Sequence, residues 1–127
     1  MRMEVSAAIE ELKRQFSEAS ATVREDDQGG AYLVIEPVKL GPKYQPQVTW
    51  IGFQIPAQYP YADIYPVFIR GDILRADGAA IGGPVTPGHH FEGRPATQIS
   101  RRSAAAQNGS QTATAKILKV LDFLEHL

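Results

Sequence analysis

The 127-residue chain contains no cysteine. Disulfides, thiolate nucleophiles and most zinc-site designs are therefore excluded, and any chemistry falls to oxygen and nitrogen. An excess of charge of either sign is also missing: 13 Lys and Arg stand against 14 Asp and Glu, a net charge of -1 with His neutral. That balance produces no global field for nucleic acid or an anionic membrane, so any basic site has to be local. Long hydrophobic runs are lacking too. None approaches the roughly 20 residues that span a bilayer, and the N-terminus shows no basic-then-apolar signal pattern. The expectation is a soluble, cytoplasmic protein with no nucleic-acid or membrane partner. No internal repeat interrupts the chain, and the short "SAAAQNGS" stretch is its one low-complexity segment.

What is present is ordinary for a folded domain. The hydrophobic fraction is 43% and the charged fraction 21%, near globular averages. The length suits one core and is too short for two, so residues 1–127 are read as a single domain. Val5, Ile9, Leu12, Phe16 and Ala19 recur at helical spacing, with Glu10, Glu11, Lys13, Arg14 and Glu18 elsewhere on the wheel. "REDDQGG" turns the chain into "AYLVIEPV", a strand by its β-branched and aromatic content. After the break "KLGPKYQP", the stretch "QVTWIGFQIP" alternates Thr49, Ile51, Phe53 and Ile55 on one face with Val48, Trp50, Gly52 and Gln54 on the other. Trp50, Tyr32 and Phe53 are read there as packing residues. "VFIRG" gives a further short strand. Residues 71–106 are rich in Gly, Pro and small side chains and read as a long irregular segment of functional type. Ser110 is the expected N-cap of a closing helix. That helix carries Ala113, Ile117, Val120, Leu121, Leu124 and Leu127 on one stripe, with Lys116, Lys119, Asp122 and Glu125 turned away. The fold class is α+β: an N-terminal helix, an antiparallel meander of about four strands, the irregular segment and a C-terminal helix.

The segment "YPYADIYPVFI", residues 59–69, with Tyr59, Pro60, Tyr61 and one later proline, Pro66, resembles the proline-aromatic stretch before the last strand of the ubiquitin-conjugating enzyme fold. The order of elements is similar along nearly the whole chain. Matching Ile117, Leu118, Leu121 and Leu124 to the family's second helix puts Ser100 where relatives carry the catalytic cysteine. Ten residues earlier, the family's His-Pro-Asn triplet falls on His90, Phe91 and Glu92. Asn108 falls where many relatives have tryptophan, the span from Pro66 to His90 is longer than usual, and the chain stops where many members continue into two more helices.

The resemblance implies a cysteine-free member of a bacterial ubiquitin-like modification pathway, a transferase that carries the modifier as an oxyester on Ser100. Its partners would be a ubiquitin-like protein, the activating enzyme and lysine-bearing targets. Serine ionises far less readily than cysteine, so it needs help. His90 is the candidate base, and Arg94, Arg101 and Arg102 are candidates for holding an oxyanion or gripping the modifier's tail. Ser103 and Thr97 are the alternative nucleophiles under a register shift of three. Glu92, replacing the triplet asparagine, would repel an oxyanion unless turned away. Plainer readings of the same residues stay open. The serines serve as turn or capping residues, and the arginines as a solvated face. On those readings the chain is an inactive binding module of the same fold that scaffolds an activating enzyme or ubiquitin-like protein, or an assembly domain unrelated to modifiers. No cofactor and no metal are expected. His89 and His90 are adjacent and lack an acidic cluster, His126 reads as a helix-end cation, and "GAAIGGPVTPG" has no Lys-Ser or Lys-Thr to make it a phosphate loop.

Overall fold

A computed structural model describes residues 1–103 and 109–127. Helix α1 spans Met3–Gln15 and buries Val5, Ala8, Ile9 and Leu12 at the expected spacing. Strands β1 (Ser20–Glu25), β2 (Ala31–Lys39), β4 (Val48–Ile55) and β5 (Val67–Arg70) follow, with the two-residue strand β3 (Tyr44–Gln45) between β2 and β4. Beyond β5 lie β6 (Leu74–Arg75), β7 (Val85–Phe91) and β8 (Arg94–Ile99), and α2 (Ala113–His126) closes the chain. Six strands form one antiparallel sheet in the order β1-β2-β4-β5-β8-β7, and β3 pairs with β6 in a separate small ribbon. The α+β class holds.

Both helices cover one face of the large sheet. Leu33 and Ile35 of β2, Ile51, Phe53 and Ile55 of β4, Val67 and Ile69 of β5 and Ile99 of β8 meet Ile9, Leu12, Ile117, Val120 and Leu124 in the main core. The period-2 alternation of β4 is borne out, with Thr49, Ile51, Phe53 and Ile55 all at 2% exposure or less. Residues of opposite parity build a second, aromatic core on the other face from Val34, Trp50, Phe91 and Ala96, flanked by Tyr32 and Phe68. Packing is thus the role of Trp50, Tyr32 and Phe53.

The segment 71–106 differs from the irregular stretch expected. Its described part contains β6 and the β7–β8 hairpin, whose two-residue turn places Glu92 at φ 49° and Gly93 at φ 75°. Positive φ at both central residues matches the right-handed twist of the flanking strands. The pairing shifts between Thr86 and His89, where Gly88 takes φ 88°, and such a bulge bends the hairpin. The tip consequently reaches the opposite side of the sheet. Glu92 accepts hydrogen bonds from Arg24 of β1 at 3.0 and 2.7 Å, and Arg94 donates to Glu36 of β2 at 3.2 Å. Phe91 lies 5.0 Å from Phe68 and 6.3 Å from Trp50, centroid to centroid. Gly52 beneath it provides the room: a Cβ there would stand 2.6 Å from the Phe91 ring.

Four local expectations are corrected. β1 forms where the sequence reads as helix end and acidic turn: only Ala21 and Val23 turn inward between exposed neighbours, too short an alternation to mark an edge strand. The N-cap of α2 is Thr112, whose Oγ1 accepts from the Ala115 amide at 3.1 Å. Lys116 does not face away, since one residue from the buried stripe its stem follows the core and it is 2% exposed. Leu118, matched to the buried face of the family's helix, is 39% exposed.

Candidate functional site

Strand β8 delivers the candidate residues to the junction with α2. Ile99 is buried in the main core, and the Ser100 amide makes a last bond to the Pro84 carbonyl at 2.9 Å. Beyond that point the chain leaves the sheet. Ser100 is half-buried at the rim, where its Oγ accepts from Gln98 Nε2 at 3.0 Å. Arg101 and Arg102 come next, both exposed. The two guanidiniums reach different rings. Arg101 sits 4.4 Å over Phe123 of α2, and Arg102 sits 3.9 Å over Tyr65. Among the described residues neither has a carboxylate partner.

The backbone beneath these arginines is fixed by Asp63. Its carboxylate accepts from the Ser103 amide at 2.7 Å, from Gln111 Nε2 at 2.9 Å and from Lys116 Nζ at 3.2 Å. Lys116 also donates to the Arg101 carbonyl at 2.6 Å. The pair is enclosed, with side-chain exposures of 3% for Lys116 and 14% for Asp63. A charge removed from water to this degree persists only when its hydrogen bonds are satisfied. Here they hold β8, the 59–65 segment and the start of α2 to one another. Tyr59 adds a contact at the same junction, its hydroxyl accepting from the Ala113 amide at 3.0 Å, which satisfies one of the unpaired donors of the first helical turn.

The candidates are only partly brought together. Ser100, Ser103, Arg101 and Arg102 share the junction. His90 does not. It pairs with Pro95 near the hairpin tip, five residues up the strand from Ser100, or about 17 Å at the rise of extended chain. His90 is thus no base for Ser100; the spacing in sequence is spent along β8 instead of folding back. Arg94 is likewise at the far end, paired with Glu36 and 5.5 Å over Trp50. Glu92 is turned away to Arg24, whose hydrogen bonds hold its pKa below the ordinary value. Thr97 faces the helix side of the sheet, opposite Ile69, and is 1% exposed, so it is sealed from any macromolecular acyl group. Asn108 lies outside the described residues, as do residues 104–106 of the expected irregular segment.

Two further features gather polar side chains away from the junction. An open cleft of about 640 Å³ lies at the other end of β8, lined by Trp50, Arg70, Arg94, Glu36 and Asp72. Its arginines are already engaged, Arg70 with Asp72 at 2.6 Å and Arg94 with Glu36. Asp122, Glu125 and His126 place one donor atom each within 4.8 Å of one another on the exposed side of α2, where His126 Nδ1 also meets the Asp122 carbonyl at 2.9 Å. The role of Asp63 and Lys116 was missed in the sequence because neither belongs to a motif. The one available signal was a lysine next to a buried helical stripe.

Among the described residues, no helix is long and apolar enough to cross a membrane. Comparison with protein-family models, with curated proteins and with solved structures finds no match to this chain.

Proposed function

We propose that the protein is a binding module of ubiquitin-conjugating-like architecture, without catalytic activity of its own. In this reading the β8–α2 junction receives a carboxylate-bearing segment of a ubiquitin-like protein or of its activating enzyme, in the cytoplasm. The observation that carries it is the arginine pair. Arg101 and Arg102 are exposed, laid on aromatic rings and without a carboxylate among the described residues. Stacking on a ring restrains a guanidinium while leaving its N–H edge available, the edge that grips a carboxylate through two parallel hydrogen bonds. The Asp63–Lys116 pair fixes the backbone below, which lowers the ordering cost of binding.

The oxyester reading has less support. Within the described residues the hydroxyl of Ser100 meets only the Gln98 amide, and an amide does not take up a proton. A serine nucleophile without a base is a poor one at neutral pH.

One experiment separates the two. The chain is mixed with a ubiquitin-like protein, its activating enzyme and ATP, and followed by intact mass and by a binding titration. The expected result is binding with no gain of mass, weakened about tenfold or more in the Arg101→Ala/Arg102→Ala double variant, as for loss of charge-assisted bonds. An adduct that survives thiol reductant, breaks in mild base and vanishes in Ser100→Ala would establish the oxyester instead. Absence of both binding and adduct would refute both readings.

A further inference from the structure

Thr97 has a hydroxyl that the architecture does not use. The residue is 1% exposed, and its Oγ1 is buried without a hydrogen-bond partner among the described residues. An unpaired buried hydroxyl is costly, and native folds rarely keep one without cause. Thr97 lines a cavity of about 360 Å³ between the β7–β8 hairpin and the 71–82 segment. The other walls are mainly aliphatic, including Ile73, Leu74, Ile81, Val85 and Pro87. One charged side chain reaches the lining, Asp72, and its carboxylate is held by Arg70 at 2.6 and 3.1 Å.

The cavity is built by ordered chain. Arg75 pins the overhanging segment, its amide donating to the Ala79 carbonyl at 2.9 Å and its guanidinium to the Ile81 carbonyl at 3.3 Å. The Gly78 amide returns to the Arg75 carbonyl at 2.8 Å, and the β3–β6 ribbon fixes Leu74 and Arg75 from the other side. Gly71 lets the segment leave β5 against the hairpin, since a Cβ there would come within 2.9 Å of the Pro95 backbone. A volume of this size falls in the lower range of small-molecule pockets, which combine apolar walls with a few placed polar groups. Thr97 lines the cavity but its Oγ1 is covered as it stands, so a turn of the side chain to another staggered χ1 rotamer is what presents the hydroxyl to the cavity.

We propose that this cavity binds a compact, neutral, mostly apolar small molecule with a single hydrogen-bonding group, which pairs with Thr97 Oγ1 once that side chain turns about χ1. The site is independent of the arginine pair at the β8–α2 junction and of what binds there. Aliphatic walls supply most of the attraction, and the hydroxyl selects among apolar molecules of similar shape.

The test uses phenol and toluene, nearly equal in shape, with only phenol carrying the polar group. Each is titrated into the full chain and followed by two-dimensional amide NMR. The expected result is saturable binding of both probes at millimolar concentration or tighter, with shifts centred on Ile73, Leu74, Ile81, Val85 and Thr97. Phenol should be preferred by roughly three- to tenfold, the range of one net hydrogen bond. Thr97→Val keeps the shape and is expected to fold at least as well as the parent, because it removes an unpaired hydroxyl; it should bind toluene as before and lose the preference for phenol. Ala80→Phe, a substitution of an exposed wall residue, should block both probes. Binding that maps elsewhere, no saturation, or an unchanged phenol preference in Thr97→Val would overturn the proposal.

Discussion

Asp63→Ala is the substitution with the largest expected consequence for stability. It strands Lys116, 2% exposed, with only the Arg101 carbonyl as partner among the described residues, and it deprives the Ser103 amide and the Gln111 side chain of their acceptor. Breaking a buried pair from one side costs about 3–5 kcal/mol, mostly the burden of the charge left behind. Lys116→Met is expected to be milder, about 1–2 kcal/mol, because the Asp63 carboxylate keeps two N–H donors and the methionine fills the apolar path of the lysine stem. The double variant should be more stable than Asp63→Ala alone, since it no longer buries an unpaired ammonium. Urea unfolding followed by far-ultraviolet circular dichroism gives all four corners of the cycle, and the midpoint is interpretable if the slope is unchanged. The reasoning is refuted if Asp63→Ala costs under about 1 kcal/mol, or if the single effects add to within about 0.5 kcal/mol, the scatter of independent sites.

Two further perturbations address the aromatic core and its fastening. Gly52→Ala puts a methyl group 2.6 Å from the Phe91 ring and should destabilise by about 1–3 kcal/mol through overpacking, with Trp50 fluorescence altered in the native state; an unchanged spectrum and midpoint would contradict the packing described. Glu92 titrates below its ordinary value of 4.5, chiefly through its hydrogen bonds with Arg24. A folded value beneath the unfolded one means that its contribution is complete above about pH 4.5 and is lost as the pH falls through the lowered value. Glu92→Gln should therefore flatten the acid limb of the stability profile, leaving the part due to Asp26 and Asp72, which are also depressed, by the Gln28 amide and by Arg70 respectively. Identical acid limbs in the two proteins would exclude the assignment.

Both helices and β4 were legible in the sequence because their apolar residues recur at a fixed period. Val5, Ile9 and Leu12, then Ile117, Val120 and Leu124, repeat at three and four, while Thr49 to Ile55 alternate without a break. The β7–β8 hairpin was not legible. Pro87, Gly88, Gly93 and Pro95 fall inside or between its strands, and such residues usually mark irregular chain; here a bulge, a positive-φ turn and an edge position absorb them. That misreading carried over to the site. A loop over residues 71–106 would let His90 fold back on Ser100, whereas extended strand keeps the two apart. The arginines were legible as a local basic patch, but their aromatic seats were not, because Phe123 and Tyr65 are distant in sequence and meet Arg101 and Arg102 only through the tertiary fold.

The clasp between Arg24 and Glu92 joins positions 68 apart in sequence. During synthesis, Tyr32, Val34 and Trp50 emerge well before the Phe91 that covers them. A nascent chain shorter than the hairpin therefore displays an oily aromatic surface with nothing of its own to shield it, the kind of surface that recruits chaperones or seeds clumping. Completion of that half of the molecule waits on the arrival of a single turn.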